Sequence, residues 1–249
     1  MKKTPLLVLV GYRKNSGKDT FSRMLLEILS QKGVETNLYH FAYPIKKLVS
    51  TLIGLPMEKI EELKNEKTGI AWDRDFVRIG DEEYPLQKEK FLETALRFFG
   101  KSGIERAKAG MEFLMNLEPS TMRETLQLMG TEAMKTMFCE EIWIDVAMRL
   151  HFSEEGNCAQ GVTIVPDFRF PVEYGYTRKI FHGEMVTIRM DRPGLPEDAH
   201  SSEKALEGFP FDHVVVNDGN LEDLKEKAEN TAETLLRTHV QYNRKGGLK

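Results

Sequence analysis

The chain has 249 residues, of which 41% are hydrophobic and 30% are charged, so it can bury a sizeable core and is unlike a disordered segment. Its 35 basic and 39 acidic side chains give a net charge of -4, which argues against non-specific binding to nucleic acid through a global positive field. The length fits a single domain over residues 1–249, with an insertion, better than two independent domains.

The first strongly apolar run, residues 6–10, is far shorter than the ~18 residues that span a membrane and too short for a signal peptide. We therefore expect a cytoplasmic protein without a membrane partner. Cys139 and Cys158 form no CxxC pattern and have no histidine at metal-ligand spacing. This predicts two buried thiols rather than a disulfide or a zinc site.

The N-terminal segment predicts a strand, a helix and a second strand. Residues 5–10 are an apolar run typical of a buried strand, and residues 18–31 place Phe21 and Leu25 on one helical face. Residues 34–41 predict the next strand. This order is a β-α-β unit, in which the two strands run parallel.

The sequence GYRKNSGKDT, residues 11–20, lies where the first strand ends and the helix begins. A phosphate-binding loop needs glycines that let backbone N–H groups close around phosphate oxygens, a helix N-terminus that faces the anion, and a lysine for the outer phosphates. Gly17 and Lys18 fit this pattern. The alternative is a tight turn with solvated basic side chains. The residues that we expect to form this phosphate-binding site are Arg13, Lys14, Asn15, Ser16, Gly17, Lys18, Asp19 and Thr20.

Two positions depart from the usual pattern GxxxxGK[ST]. Tyr12 stands where the first glycine is expected, so Gly11 would open a loop one residue longer. Asp19 stands where the hydroxyl is expected, so Thr20 would supply it. Asp19 either interacts with the helix dipole or, near a triphosphate, helps to hold Mg²⁺; we favour a metal-facing or acceptor-facing role.

Between residues 43 and 152 strand patterns give way to charge-rich amphipathic helices, most clearly over 57–67, 121–135 and 140–151. Residues 72–84 have a mixed pattern and receive no assignment. We predict a helical insertion over 43–152, which the family resemblance described below implies is acceptor-binding.

Arg123 and Gln127 lie four residues apart on the predicted helix 121–135. This spacing places a cation and an amide on one face, where Arg123 could bind a monophosphate and Gln127 could contact a base. Spacing alone favours the simpler interpretation, a solvated helix face.

The last third of the chain returns to alternating strands and helices, which completes an α/β fold of the three-layer P-loop NTPase type, with a parallel sheet and a helical insertion. Residues 243–249 predict a flexible tail. Strands are predicted at 161–165, 185–190 and 213–216, and helices at 171–181 and 221–238.

The sequence VTIVPDFRFPVE, residues 162–173, is an apolar strand that ends in Asp167 and Arg169. Sites in α/β proteins lie at such strand ends. Asp167 could order the water molecules of Mg²⁺, and Arg169 could bind a phosphoryl group with its planar guanidinium. The alternative is that Asp167 caps the next helix and Arg169 lies in a surface ion pair.

Several stretches together resemble, in the same order, motifs of the bacteriophage deoxynucleoside monophosphate kinases. Asn15, Phe168 and Val172 differ from the family pattern, and none of them removes a charged group expected to act. The matching stretches are GYRKNSGKDTF, FAYPIKK at 41–47, LQLMGTE at 126–132, Ile142 with Trp143, PDFRFPVE and HSSEKAL at 200–206.

This resemblance implies a P-loop kinase that moves the γ-phosphate of ATP to a deoxynucleoside 5′-monophosphate (dNMP) with Mg²⁺, in the host cytoplasm if the gene is of phage origin. Its partners would be these small molecules, and a homodimer stays open. We assign catalysis to Lys18, Arg169 and Asp167, and Mg²⁺ binding to Asp19, Thr20 and Asp167. Substrate binding is assigned to Lys46, Arg123, Gln127, Thr131, Glu132 and Arg169.

Two other functions compete with this interpretation. The SGKD sequence also resembles phosphomevalonate kinase, whose acceptor has no base. A regulatory or assembly P-loop ATPase would instead let water attack the γ-phosphate. Arg189 and Arg192, which precede the loop 193–200, are candidates for lid arginines that close over the substrates.

Overall fold

The computed structural model describes residues 5–66, 68–117, 121–154, 161–195 and 204–240. Short 3-10 or π-helical turns occupy Lys101–Gly103, Met129–Ala133, Leu150–Glu154 and Leu236–Val240. The strands and helices are β1 (Leu6–Gly11), α1 (Lys18–Gln31), β2 (Thr36–Leu38), α2 (Tyr43–Ile53), α3 (Met57–Asn65), β3 (Ile70–Trp72), β4 (Phe76–Ile79), β5 (Glu82–Pro85), α4 (Lys88–Phe99), α5 (Ile104–Met115), α6 (Met122–Leu128), α7 (Met134–Met137), α8 (Ile142–Arg149), β6 (Val162–Phe168), α9 (Pro171–Ile180), β7 (Glu184–Asp191), β8 (His213–Val216) and α10 (Leu221–Leu235).

The chain separates into two compact units. The first, which we call the sheet unit, combines Met1–Phe41 with Met148–Lys249. The second, the inserted unit, is Ala42–Ala147.

The sheet unit is built on five parallel strands in the order β2-β6-β1-β7-β8. From β1 the chain continues to β2, which lies on one side of β1 in the sheet. It later crosses from β6 to β7, which lies on the other side of β1, so the winding direction reverses around β1. Ligands of such sheets bind outside the carboxyl ends of the strands at this reversal. The predicted α/β class with a parallel sheet flanked by helices is confirmed.

The core of the sheet unit explains why α1 and α10 form where they do. All six residues of β1 are buried, as expected of a strand covered on both faces. Phe21 and Leu25 of α1, with Leu224 and Ala228 of α10, are at most 3% exposed and belong to one apolar cluster with the strands. Burial of these helix faces provides the stability that isolated helices of this length lack in water.

The inserted unit contains an antiparallel sheet, β3-β4-β5, in addition to its helices. The expectation that helices replace strands between residues 43 and 152 is therefore wrong for this sheet, most of which lies in residues 72–84, the stretch that received no assignment. The strands are only three or four residues long, and β4 buries just Val77 and Ile79 on its inner face. The missed signal is the pair Gly80 and Asp81, a two-residue hairpin connection of a common type.

Cys139 is exposed in the turn between α7 and α8, so the prediction of a buried thiol is wrong for this residue. Cys158 and the predicted tail 243–249 lie outside the described residues. In the described ranges no helix combines the length and apolar character needed to cross a membrane.

His151 is a buried histidine in the sheet unit, with only 6% of its surface exposed. Its Nε2 lies 3.1 Å from the Thr163 hydroxyl, and its ring stacks on Tyr39 with centroids 4.3 Å apart. Burial lowers the pKa of His151 from 6.5 to about 4. The side chain is therefore neutral in the folded protein at neutral pH.

We predict that His151 makes the protein less stable as the pH falls from about 6.5 toward 4. In this window the unfolded chain binds a proton at His151 that the folded protein does not, so protonation favours unfolding, by roughly 3 kcal/mol at the lower end. Denaturant unfolding of the wild type, His151→Gln and the exposed control His182→Gln at several pH values measures this. A His151→Gln protein with the same pH dependence as the wild type would contradict the prediction.

Candidate active site

Residues 12–17 form the loop that joins β1 to α1 at the carboxyl edge of the sheet. The backbone is left-handed at three positions, with φ of 102° at Tyr12, 60° at Asn15 and 95° at Gly17. A Cβ at Gly11 would lie 2.8 Å from the carbonyl oxygen of Phe168, so only glycine fits where the loop opens. The longer loop is thus a tight strand-to-helix connection, of a kind that can hold an anion with backbone N–H groups.

Lys18 is the first residue of α1 and is only 6% exposed. Its Nζ donates a hydrogen bond to the carbonyl oxygen of Arg13 at 2.5 Å. The ammonium group therefore bends back over the loop instead of extending into solvent. Gly17, at the N-cap of α1, has no capping side chain, which leaves the N–H groups and dipole of the helix end for an anion.

The three hydroxyl and carboxyl side chains near Lys18 differ in exposure. Asp19 and Thr20 lie exposed in the first turn of α1, whereas Ser16 is fully buried. The Ser16 Oγ has no hydrogen-bond partner among the described residues. A buried hydroxyl without a hydrogen bond costs roughly 1–3 kcal/mol of stability. A bound phosphate oxygen that accepts a hydrogen bond from Ser16 could recover this free energy.

Tyr12 holds the start of the loop in its left-handed conformation. Its side chain is 7% exposed. The guanidinium carbons of Arg189 and Arg13 lie 4.0 and 5.3 Å from the centroid of its ring. Arg13 also pairs with Glu207 at 3.3 Å. Burial and cation–π contacts offset the strain of a positive φ at a bulky residue. Lys14 is exposed on the same loop.

Asp167 lies near the end of β6, beside the start of the loop. The pairing of β1 with β6 shifts between Leu9 and Gly11, where Gly11 pairs with Phe168. Pro166 has no N–H to donate and is tolerated inside a sheet mainly at such bulges, which redirect neighbouring side chains. The Asp167 carboxylate accepts a hydrogen bond from the Phe41 N–H at 3.0 Å and stays 17% exposed.

Arg169 follows β6 and is half-buried. Its backbone N–H and that of Phe170 donate to the Glu173 carboxylate at 2.7 and 3.1 Å. The Glu173 side chain therefore caps the N-terminus of α9, which is the role that the alternative interpretation gave to Asp167.

In the inserted unit, Glu61 joins two lysines from neighbouring helices. The Nζ of Lys46 on α2 donates to Glu61 on α3 at 2.5 Å, and Lys64 on α3 donates to the other carboxylate oxygen. Burial opposes the charged form of Glu61, but the hydrogen bonds from both lysines outweigh it and lower its pKa to about 2. Glu61 is therefore a permanent anion between two cations.

Arg123 on α6 contributes to the electrostatics of the same group. Burial lowers the pKa of Lys64, Glu61 counteracts this, and repulsion from Lys46 and Arg123 lowers it further. Two predicted substrate-binding residues, Lys46 and Arg123, thus both lower the pKa of a third cation, Lys64. We call Lys46, Glu61, Lys64 and Arg123 the basic cluster.

The other predicted substrate-binding residues lie near the end of α6. Gln127, Thr131 and Glu132 are all exposed, and the Thr131 hydroxyl donates to the Gln127 carbonyl at 2.7 Å. The predicted helix 121–135 is not continuous, because the segment Met129–Ala133 is a π-helical turn. Such π-helical turns are rare in proteins overall, and those that occur are often at functional sites.

The lid candidates have partners within the sheet unit. Arg189 pairs with Asp191 at 2.9 Å, and the Nη1 of Arg192 lies 3.5 Å from the Asn15 carbonyl. Residues 196–203, which include the whole HSSE sequence (200–203) and part of the loop 193–200, lie outside the described residues.

The sequence analysis missed three residues of this arrangement. Glu61 and Lys64 have a spacing common on solvated helices, so their pattern gave no signal. Asn217 follows β8, and its Nδ2 donates to the Ser16 carbonyl at 3.0 Å. Its place directly after a strand end was a signal that could have been used.

Sequence comparison with known proteins identifies the family to which the chain belongs. The family model described as deoxynucleotide monophosphate kinase matches residues 5–228. A deoxynucleotide monophosphate kinase of Enterobacteria phage T4 is 27% identical over 251 residues, which cover 92% of this chain and 99% of that protein. A deoxynucleoside-5'-monophosphate kinase of Escherichia phage T5 is 24% identical over 240 residues, which cover 84% of this chain and 89% of that protein.

The match extends over both compact units, from β1 into α10. It therefore includes the loop 12–17, Asp167 and the basic cluster. The chain belongs to the deoxynucleotide monophosphate kinase family.

Proposed function

We propose that the protein transfers the γ-phosphate of ATP to a deoxynucleoside 5′-monophosphate and releases ADP and the deoxynucleoside diphosphate. The observation that carries this proposal is the position of Lys18, whose ammonium lies over the loop 12–17 at an uncapped helix N-terminus. Membership of a deoxynucleotide monophosphate kinase family supports the choice of acceptor.

The ATP phosphates would bind at the loop 12–17 and the first turn of α1. Backbone N–H groups and the Ser16 hydroxyl would donate to phosphate oxygens, and Lys18 would exchange its contact with the Arg13 carbonyl for one with the outer phosphates. Arg13 and Lys14 add positive charge beside the loop. Asn15, Asp19 and Thr20 complete the set of proposed ATP-binding residues.

The acceptor monophosphate would bind at the basic cluster of the inserted unit. Lys46 and Arg123 carry the positive charge, and Lys64 adds to it, while Glu61 holds both lysines in place. Gln127, Thr131 and Glu132 lie exposed beyond Arg123 on the same chain segment, where they can contact the base or sugar. A phosphate dianion suits a site with more cations than carboxylates.

The reaction needs little covalent chemistry from the protein. The acceptor phosphate is already a nucleophile, so the protein must align it with the γ-phosphate, exclude water and neutralise charge that spreads over the transferred group. Lys18 would supply this charge from the loop, and Arg169 from the strand end. Water must be excluded because hydrolysis of ATP competes with transfer.

The described residues contain no group of three or more His, Cys, Asp or Glu side chains that could hold a metal ion by itself. Mg²⁺ in kinases is held chiefly by phosphate oxygens, water and one or two protein oxygens, so this arrangement fits. Asp167 offers a partly exposed carboxylate at the strand end, and Asp19 and Thr20 offer exposed oxygens. When bound, Mg²⁺ would neutralise phosphate charge.

An assay of ADP release tests the proposal. The wild-type protein with ATP and Mg²⁺ is supplied in turn with the four dNMPs, the four ribonucleotides, phosphomevalonate or no acceptor. We expect release that depends on a dNMP. Release with phosphomevalonate alone, or equal release without any acceptor, would instead indicate one of the two competing functions.

Substitution of Lys18 tests the role of the loop 12–17. Lys18→Ala should lower kcat by ~10²-fold or more, because removal of one preorganised charge-stabilising donor typically has this effect. Lys32→Ala, which removes an exposed lysine at the other end of α1, is the matched control. A folded Lys18→Ala enzyme that retained a third of wild-type activity would refute the role of the loop.

Arg123 and Gln127 should separate phosphate binding from base recognition. Loss of a hydrogen-bonded charge costs roughly 1.5–3 kcal/mol and loss of a neutral bond about 1 kcal/mol. Arg123→Ala should therefore raise KM for every dNMP by about 10-fold or more at nearly constant KM for ATP, and Gln127→Ala should change only the preference among bases. The surface variant Arg78→Ala is the control within the same unit. An equal rise in KM for ATP would count against this assignment.

Asp167 should determine the requirement for Mg²⁺. Asp167→Asn keeps an oxygen that accepts from the Phe41 N–H but removes the charge, so the fold is retained while the Mg²⁺ concentration for half-maximal activity rises about 10-fold or more. Titration of activity with Mg²⁺, and with EDTA for the wild type, measures this. An unchanged Mg²⁺ dependence in Asp167→Asn would exclude the role.

A further inference from the structure

Asn217 connects the end of the sheet to the loop 12–17. It directly follows β8 and is 8% exposed. Its backbone N–H donates to the Asp191 carbonyl at the end of β7 with a distance of 2.6 Å. The position of Asn217 is therefore fixed by two neighbouring strands of the sheet, independently of the loop.

The side chain of Asn217 acts on one peptide group of the loop. Its Nδ2 donates to the Ser16 carbonyl at 3.0 Å, across 201 positions of the chain. In a planar trans peptide the C=O and the following N–H point in opposite directions. A bond that holds the Ser16 carbonyl toward Asn217 therefore turns the Gly17 N–H away from Asn217.

Gly17 is the residue that makes this contact sterically feasible. Its φ is 95°, and a Cβ at this position would lie 2.5 Å from the Asn217 Nδ2. Any larger residue would displace the amide or the loop. The glycine of the loop and the asparagine after β8 thus form a matched pair.

We propose that Asn217 is a positioning residue for ATP binding, which holds the peptide between Ser16 and Gly17 so that the Gly17 N–H faces the phosphates. The inference rests on the proposed function, and it adds a residue from near the C-terminus to a loop near the N-terminus. The polarity of the pair is specific, because the Asn217 amide donates and the Ser16 carbonyl accepts.

The test combines calorimetric binding of a non-hydrolysable ATP analogue with steady-state kinetics on the full chain. Asn217→Ala should weaken binding of the analogue roughly 10-fold, the effect of about one net hydrogen bond together with a less ordered peptide. KM for the dNMP should stay within about twofold, because the proposed role of Asn217 acts on the loop 12–17 and not on the proposed acceptor-binding residues. Asn217→Ser, whose hydroxyl is too short to replace the amide, should show the same ATP-specific loss if the alanine variant folds poorly.

Asn220→Ala is the matched control. Asn220 caps α10 by accepting from the N–H groups of Glu222 and Asp223 at 2.8 and 3.1 Å, so its loss should lower Tm but leave the affinity for the analogue within twofold. Equal losses of ATP and dNMP affinity in Asn217→Ala, or unchanged affinity for the analogue, would overturn the inference. A wild-type protein that binds the analogue but transfers no phosphate would instead refute the proposed function.

Discussion

The carboxyl end of β1 is the constraint on which the rest of the sheet unit depends. This strand is buried on both faces and paired on both edges, so its last residue, Gly11, has a fixed position. The chain must then turn into α1 within residues 12–17 and bring Lys18 back over the turn. Three left-handed residues achieve this, and each has a contact with another part of the sheet unit: Tyr12 with Arg189, Asn15 with Arg192 and Gly17 with Asn217.

In the proposed function the two units would attract a phosphate in different ways. The loop 12–17 would rely on backbone N–H groups and the buried Lys18, with Arg13 and Lys14 adding positive charge beside them. The basic cluster uses side chains, and burial, together with repulsion from Lys46 and Arg123, lowers the pKa of Lys64. Glu61 reduces this repulsion and stays ionised at any ordinary pH because its pKa is about 2. Without a bound anion, the basic cluster keeps like charges close together at a cost in free energy. We therefore expect a bound anion to stabilise the basic cluster more than it stabilises the loop 12–17.

The strand pattern of the sequence was sufficient to predict the sheet, because residues 6–10 and 213–216 are short apolar runs with clear ends. The helix 18–31 was predicted with its observed bounds, since its apolar face and glycine boundary are both strong signals. The sheet β3-β4-β5 could not be recognised from alternation, because each strand has too few buried positions. The π-helical turn at Met129–Ala133 leaves no mark in composition or spacing.

The roles of individual site residues were less predictable than the fold. Lys18 could be proposed from the sequence because it lies between a glycine and a predicted helix. Glu61, Lys64 and Asn217 act through contacts between segments distant in sequence or between helices, and no local pattern encodes such contacts. A polar residue directly after a strand, as at Asn217, is the one feature of this kind that sequence can suggest.

Identification of the phosphorus-containing products tests the central claim most directly. ³¹P NMR of the wild-type protein with ATP, Mg²⁺ and a dNMP distinguishes transfer from hydrolysis, because the diphosphate of the acceptor and inorganic phosphate give separate signals. We expect ADP and the deoxynucleoside diphosphate in equal amounts, with inorganic phosphate near background. Formation of inorganic phosphate with ADP, and no deoxynucleoside diphosphate, would contradict it.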